Sequence, residues 1–201
     1  MIKKNVYIFL SHLNIMNHNC SDEIHSILEN LGYDTTNESI TETPQRYAKY
    51  LLSFGKKTDS HFIEFCKKNN IKSSPITDTS IPIKLTIDKI SVQTLCKHHM
   101  LPFYGNVYIS YITNGYVLGL SKFKRLVDFS ASELTTQEDL TQKIVKNILS
   151  VLPVKDLYVK IECVHTCMII RGIKDLGTNT TTEVHIGEGE MGIYSKLLTD
   201  L

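Results

Sequence analysis

The sequence predicts an α+β protein whose sheet is largely antiparallel. Apolar and polar residues alternate over Ile81–Asp88, as they do in strands with one buried face, and strand-like runs follow at Asn106–Ile112 and Leu157–His165. Helical patterns precede these runs, and a further pair of helices separates them. Because helices and strands come in blocks instead of alternating one by one, the order favours helices packed on an antiparallel sheet.

Three helices are predicted before the first strand. Ser21 is positioned to cap the first helix, which ends at Gly32, and Thr43-Pro44 opens the second, which runs toward Gly55. Serine or threonine at the start, proline in the first turn and glycine at the end are typical of helix boundaries. A shorter helix is expected around Ser60–Lys68.

Two helices are predicted between the strands. One begins with Ser121 as its cap, and the other follows Thr136 with a capping-box pattern. The dipeptide Asn114-Gly115 between apolar runs predicts a β-hairpin. Strand-like runs continue at Met168–Gly172 and Thr180–Ile186, so the chain is expected to finish in the sheet.

Length, charge and cysteine content limit the classes of protein to which the chain can belong. We expect a leader without fixed structure over 1–20, with Met16 as an alternative start, a helical region over 21–80 and the main domain over 81–201. The net charge of +1 argues against general attraction to nucleic acid or to an anionic membrane. No apolar run reaches the roughly 18 residues of a membrane span. Five irregularly spaced cysteines favour a reducing cytoplasm over a disulfide framework.

Cys96 and His99 have the spacing of a pair of metal ligands. Because only one such pair is present, the pattern favours zinc with three protein ligands and a water, whose pKa zinc lowers toward roughly 7. Cys163, His165 and Cys167 alternate along a predicted strand and are expected on one face, and their spacing does not choose the third ligand. Cys163 lies between apolar residues and is interpreted as a core residue.

Two further histidines and a polar pair have alternative interpretations. His98 and His165 are either proton carriers, for which imidazole is well matched near neutral pH, or hydrogen-bonded structural residues. Gln137 and Glu138 occupy the first turn of a predicted helix. They either complement the helix terminus or read the polar edge of a heterocycle such as guanine.

Five cations are candidates for binding a phosphate chain. Lys122 and Arg125 are three residues apart near a helix N-terminus, which suits a phosphate, and Arg171 follows the strand with the downstream cysteines. Arg46 and Lys49 share one face of the second helix, where the alternative is a solvated basic edge.

These segments together resemble the zinc-dependent GTP cyclohydrolase I family. The resemblance covers roughly residues 21–187, and its motifs occur in the order that the family has. The matching motifs are Glu42-Thr43-Pro44-x-Arg46-x-x-Lys49, Cys96-Lys97-His98-His99 with Pro102-Phe103-x-Gly105, Gly119-Leu120-Ser121-Lys122-x-x-Arg125, Gln137-Glu138-x-Leu140-Thr141, and His165-x-Cys167-Met168-x-x-Arg171-Gly172.

The resemblance implies a role for each candidate residue. Zinc is expected on Cys96, His99 and Cys167, and proton transfer is expected from His98 and His165. The residues implied at the substrate are Gln137 and Glu138 at guanine, with Glu138 also holding the base during catalysis, Ser121 near the ribose, Lys122, Arg125 and Arg171 at the triphosphate, and Arg46 and Lys49 from a neighbouring subunit.

The resemblance also implies a fold, an assembly and a reaction. The fold is the tunnelling fold, an antiparallel sheet backed by two helices, here with an N-terminal helical extension. Subunits are expected to form a ring in the cytoplasm, usually a homodecamer, with active sites between subunits and no nucleic-acid or membrane partner. Zinc-activated water is expected to hydrolyse the imidazole ring of GTP. This reaction releases formate and yields 7,8-dihydroneopterin triphosphate, the first step of tetrahydrofolate and pterin biosynthesis.

The chain departs from the family pattern at a few positions. Lys97 stands where the family has Glu, Asp139 stands where it has Arg, and residues 130–134 replace a usually basic stretch. Two alternatives follow. One is a divergent relative that stops at the formamide or acts on another purine nucleotide, and the other is a non-catalytic, zinc-stabilised ring that binds GTP.

Overall fold

The computed structural model describes residues 20–78 and 80–187. The chain divides into two compact units, and the division falls after Gly55. Helix α1 (20–30) and helix α2 (Thr43–Leu52) belong to the first unit. The second unit contains α3 (Asp59–Lys68), β1 (Ser74–Pro75), β2 (Lys84–Leu95), β3 (Pro102–Thr113), β4 (Tyr116–Val117), α4 (Leu120–Ser130), α5 (Gln137–Leu149), β5 (Val154–His165), α6 (Thr166–Ile169) and β6 (Asn179–Gly187).

The helices predicted before the first strand are confirmed, with shifted ends. Ser21 lies inside α1 and not at its cap, and Gly32 follows the helix at φ +85°, in the left-handed region that glycine adopts without strain. α2 begins at Thr43, with Glu42 as its N-cap residue, and ends before the predicted Gly55. Most of the leader expected over 1–20 lies outside the described residues.

Four strands form an antiparallel sheet in the order β2-β3-β5-β6. β2 and β3 are a long hairpin, in which Leu95 pairs with Pro102 at the closed end. β3 also pairs with β5, so that Phe103 lies opposite His165. The register therefore brings residues 96–101, which we call the Cys96 loop, and the C-terminal end of β5 to the same end of the sheet.

Helices α4 and α5 pack on one face of the sheet. Val107 and Ile109 of β3 are buried two residues apart, and they share one hydrophobic core with Val159 of β5, Leu126 of α4 and Ile144 of α5. Full burial of an aliphatic side chain contributes about 1.5–3 kcal/mol, so this core contributes substantially to the stability of the second unit. The α+β class is confirmed: an antiparallel sheet is backed by two helices.

Two details around β4 differ from the sequence predictions. The predicted Asn114-Gly115 hairpin is wrong, because β4 pairs with β1 and not with β3. The Ile76 N–H donates to the Gly115 carbonyl at 2.9 Å, which joins the turn to the β1 segment. α4 starts at Leu120, so Ser121 lies in its first turn and is not the cap.

The strand predicted at Met168–Gly172 is also wrong. β5 ends at His165, and the next residues form the short helix α6. The Thr166 hydroxyl donates to the Pro102 carbonyl at 2.6 Å, a side-chain bond that competes with continued strand pairing. The chain consequently turns away from the sheet before Cys167.

The described residues contain neither a disulfide nor a helix that could span a membrane. All five cysteines, including Cys20 and Cys66, are free thiols. Across 20–78 and 80–187, no helix combines the length and the apolar character needed to cross a bilayer.

Candidate functional site

The Cys96 loop is a tight turn closed by its own backbone. The Cys96 N–H donates to the Leu101 carbonyl at 2.9 Å, and the Cys96 carbonyl accepts from the Met100 N–H at 2.8 Å. Met100 has φ +53°, which the sharp reversal requires. Cys96 is buried, whereas residues 97–99 are exposed, so the loop holds its thiol inside and presents its histidines at the surface.

The segment before α5 is bonded to both sides of Cys96. The Leu95 carbonyl accepts from the Thr135 N–H at 3.1 Å, and the Lys97 N–H donates to the Thr135 carbonyl at 3.0 Å. Just before them, the Thr94 hydroxyl donates to the Glu133 carbonyl at 3.1 Å. These bonds fix the N-terminus of α5 beside the Cys96 loop.

Two of the departures from the family pattern meet at this junction. Lys97 Nζ lies 2.5 Å from Asp139 Oδ2. This hydrogen bond raises the pKa of Lys97 and lowers the pKa of Asp139, so both side chains are charged at neutral pH. Lys97 is therefore not an isolated cation beside Cys96.

His165 is held on two sides at the end of β5. Its ring stacks on Phe103, with ring centroids 4.7 Å apart and planes within 7°. Its Nε2 lies 2.8 Å from Gln137 Oε1. Burial lowers the pKa of His165, and the nearby Glu138 partly opposes that shift. The imidazole is thus ordered and is biased toward its neutral form.

Gln137 and Glu138 are neighbours with opposite environments. Thr136 caps α5, because its hydroxyl accepts from the Asp139 N–H at 3.1 Å, and this confirms the predicted helix start. Gln137 is only 1% exposed, whereas Glu138 is exposed. Of the two, only Glu138 presents its side chain to solvent.

The downstream cysteines separate into a core residue and a surface candidate. Cys163 is 2% exposed within the hydrophobic core, and burial raises the pKa of its thiol to about 12, which confirms the core interpretation. Cys167 is half-buried in α6. The expectation that it continues the strand alternation of Cys163 and His165 is wrong, because β5 has already ended.

The three expected zinc ligands have suitable chemistry, and their segments lie at one end of the sheet. Thiolate and imidazole are donors that zinc prefers, and Cys96, His99 and Cys167 supply both types. His98 lies next to His99, with ring centroids 6.4 Å apart. Among the residues that the structure describes, however, no three His, Cys, Asp or Glu side chains are gathered as a metal-binding group. The donor types fit zinc, while the side chains are not gathered around one point.

Two of the candidate phosphate ligands are bonded to Asn69, which sequence analysis did not identify. Lys122 Nζ donates to the Asn69 carbonyl at 2.7 Å, and Arg125 Nη1 donates to Asn69 Oδ1 at 2.7 Å. Asn69 follows α3 in a polar stretch without a motif. Because both contacts are distant in sequence, no local pattern could have indicated them.

The remaining candidates are exposed. Ser121 lies in the first turn of α4, and Arg171 follows α6. Arg46 and Lys49 lie on α2 in the first unit, where Arg46 pairs with Glu42. The structure therefore brings together the Cys96 loop, the start of α5 and His165, and it links Lys122 with Arg125 through one residue.

Comparison with known proteins gives consistent matches over most of the chain. The profile of the family described as GTP cyclohydrolase I matches residues 20–192. The GTP cyclohydrolase 1 of Saccharomyces cerevisiae is 36% identical over 167 residues, which cover 83% of this chain and 67% of the relative. The proteins of the same name from Chlorobium phaeovibrioides and Coxiella burnetii are 36% and 34% identical, and the alignments cover 84% and 86% of this chain and 73% and 90% of the relatives.

Proposed function

The chain belongs to the GTP cyclohydrolase I family and is a GTP cyclohydrolase, and we propose that it acts through zinc held by Cys96, His99 and Cys167. Zinc, when bound, supplies a water activated near neutral pH. Hydrolysis opens the imidazole ring of GTP, formate leaves, and the rearranged product is 7,8-dihydroneopterin triphosphate. The meeting of the Cys96 loop, the start of α5 and the end of β5 at one end of the sheet carries this proposal.

His98 and His165 move protons in this proposal. His165 is ordered by stacking on Phe103 and by its bond to Gln137. A neutral imidazole accepts a proton when the ring of GTP opens and returns it to the leaving nitrogen. His98 is exposed in the turn of the Cys96 loop, so a bound nucleotide can reach it.

Glu138 holds the guanine base. A carboxylate accepts two hydrogen bonds from a pair of adjacent N–H groups, such as the ring N–H and the amino group of guanine. The exposure of Glu138 beside His165 supports this role. Gln137 is considered separately below, because its amide is buried.

Cations hold the triphosphate. Lys122, Arg125 and Arg171 are assigned to the phosphates and Ser121 to the ribose, and the joint anchoring of Lys122 and Arg125 supports a shared ligand. Arg46 and Lys49 are assigned to the site of a neighbouring subunit in a cytoplasmic homodecamer, with active sites between subunits. A chain with a net charge of +1 needs such local groups to bind a polyanion.

A turnover assay combined with metal analysis on one sample tests the proposal. The purified protein is incubated with GTP while formate, pterin fluorescence and bound zinc are measured. We expect formate and pterin to appear together, both to be lost after chelation, and both to return when zinc is added. Formamide without pterin would identify the divergent relative, and tight GTP binding without turnover would identify the non-catalytic ring. The family match favours neither alternative.

A further inference from the structure

The amide of Gln137 is buried, and both its ends are hydrogen-bonded. Its Nε2 lies 3.1 Å from the Ile161 carbonyl, 2.9 Å from the Thr180 carbonyl and 3.2 Å from Thr182 Oγ1. Its Oε1 lies 2.8 Å from His165 Nε2. The side chain thus bridges the start of α5 to β5, to β6 and to His165.

The partners of Gln137 decide which way its amide points. The oxygen and nitrogen of an amide are hard to tell apart by shape, so the hydrogen-bond network must assign them. Two of the neighbours are backbone carbonyls, of Ile161 and Thr180, which can only accept. The amide end that faces them must therefore be the NH2 group, and the oxygen must face His165.

This orientation fixes the position of a proton on His165. An amide oxygen can only accept, so the 2.8 Å contact exists only if His165 Nε2 carries a hydrogen and donates it to Gln137. In the neutral ring the unprotonated nitrogen is then Nδ1. The other neutral tautomer, with an unprotonated Nε2, would set two acceptors against each other at this 2.8 Å contact.

Hydroxyl groups lock the Gln137 side chain itself. The Thr141 hydroxyl donates to the Gln137 backbone carbonyl at 2.7 Å, and Thr141 Oγ1 lies 2.7 Å from Thr182 Oγ1. Because the Thr141 proton is already used, Thr182 donates to Thr141 and accepts from the amide of Gln137. Each group has one consistent direction of donation, so the amide has a single orientation.

We propose that Gln137 is a positioning residue that keeps the proton of His165 on Nε2 and thereby makes Nδ1 the atom that exchanges protons with the substrate. The inference rests on the proton-transfer role proposed for His165, and it differs from guanine recognition by Gln137, which the resemblance implies. To read guanine, the amide would have to leave its buried partners, and the carbonyls of Ile161 and Thr180 would lose their donor. Glu138, the exposed neighbour, has no such cost.

The variant Gln137→Met tests this role, because methionine has a similar length and neither donates nor accepts a strong hydrogen bond. We expect kcat to fall about 10- to 100-fold, the range found when the hydrogen-bond partner of a metal-binding histidine is removed, while the KM for GTP stays within about twofold. The control is Asn147→Ala, which removes another buried amide of α5, bonded to Ser130 Oγ at 2.8 Å, and should leave kcat unchanged. A raised KM with unchanged kcat, or no change in either constant, would overturn the proposal.

A spectroscopic measurement decides the matter even if Gln137→Met does not fold. The wild-type protein is labelled with 15N-histidine, and the His165 signals are assigned by their absence in His165→Gln. We expect a protonated Nε2 and an unprotonated Nδ1. The opposite tautomer would refute the proposal. If the protein released no formate from GTP, the proposed function would fail, and the tautomer would still report on Gln137 alone.

Discussion

The two ends of the proposed site are built in different ways. At the end near the sheet, Gln137 and His165 lie in a network of buried bonds that joins α5 to the strands. At the other end, Arg125 is exposed and Lys122 is half-buried, and both reach Asn69 from one helix face. A buried network has little freedom to adjust, whereas exposed cations can follow a flexible triphosphate.

This difference predicts which kinetic constant each end controls. Bonds in a water-poor environment hold a proton-transfer group in one orientation, so their loss should lower kcat. Exposed cations bind phosphate through interactions that salt screens over about 10 Å at 0.1 M, so their loss should raise KM. The following variants test that division.

The largest effect is expected from Cys167→Ala. Removal of a direct metal ligand should abolish zinc binding and lower turnover by more than the roughly 10- to 100-fold known for residues that only support ligands. Zinc content and formate release are measured on the same preparation.

Cys163→Ala is the matched control for this prediction. Cys163 is a core residue whose thiol has its pKa raised to about 12 by burial, so it stays protonated and is a poor ligand near neutral pH. Its truncation should lower stability by about 1 kcal/mol and leave zinc in place. Full zinc occupancy in Cys167→Ala, together with zinc loss in Cys163→Ala, would show that the ligand assignment is reversed.

Glu138→Gln should have the next largest effect. The amide keeps the size of the carboxylate but loses its charge and one acceptor, so kcat/KM should fall about 10- to 100-fold. Glu64→Gln changes an exposed acid on α3 and should have no effect. If Glu138→Gln were as active as the wild type, base recognition would have to come from another group.

Local patterns predicted the elements of this molecule better than its long-range bonds. The strand-like runs predicted the strands of the sheet, and the capping pattern at Thr136 predicted the start of α5, because both patterns depend on neighbouring residues. The motifs identified His165 and Glu138, but the burial of Gln137 depends on β6, which is distant in sequence. Asn69 could not be found, because its partners lie on α4. Cys167 was predicted in a strand but lies in α6, because β5 ends at His165, where the Thr166 hydroxyl bonds to the distant Pro102 carbonyl.

A smaller effect is expected from reversing the ion pair between the Cys96 loop and α5. Lys97→Glu would set two acids at the present 2.5 Å contact, and Asp139→Arg would set two cations there. Each single variant should lower kcat/KM by about two- to fivefold, the range of exposed pairs. The double variant should recover the loss, which a double-mutant cycle measures.

The control for this cycle is the exposed pair of Lys124 and Asp128 on α4, also 2.5 Å apart. Reversing that pair should change neither kcat nor KM. If the two losses at Lys97 and Asp139 simply added in the double variant, the pair would not position the Cys96 loop, and Lys97 would act on its own.

The smallest effect on kinetics is expected from Asn69→Ala, which removes one of the two bonds that anchor the cations at the phosphate end. The variant loses the oxygen that accepts from Arg125 but keeps the backbone carbonyl that accepts from Lys122. Since a hydrogen bond to the exposed side chain of Arg125 lies near the low end of the usual range of about 0.5–1.5 kcal/mol, the KM for GTP should rise only about twofold, with kcat unchanged.

Asn70→Gly is the control for Asn69→Ala, because Asn70 has φ +49° and glycine adopts that conformation without strain. Its KM for GTP should match that of the wild type at every salt concentration.

If Asn69 prearranges the guanidinium of Arg125, Asn69→Ala should also lose affinity for GTP more steeply than the wild type as salt is added, since an unanchored cation depends on long-range attraction. If Asn69→Ala instead lowered kcat and left KM unchanged, Asn69 would act like the buried Gln137–His165 network. The proposal that the buried end controls kcat and the exposed end controls KM would then be wrong.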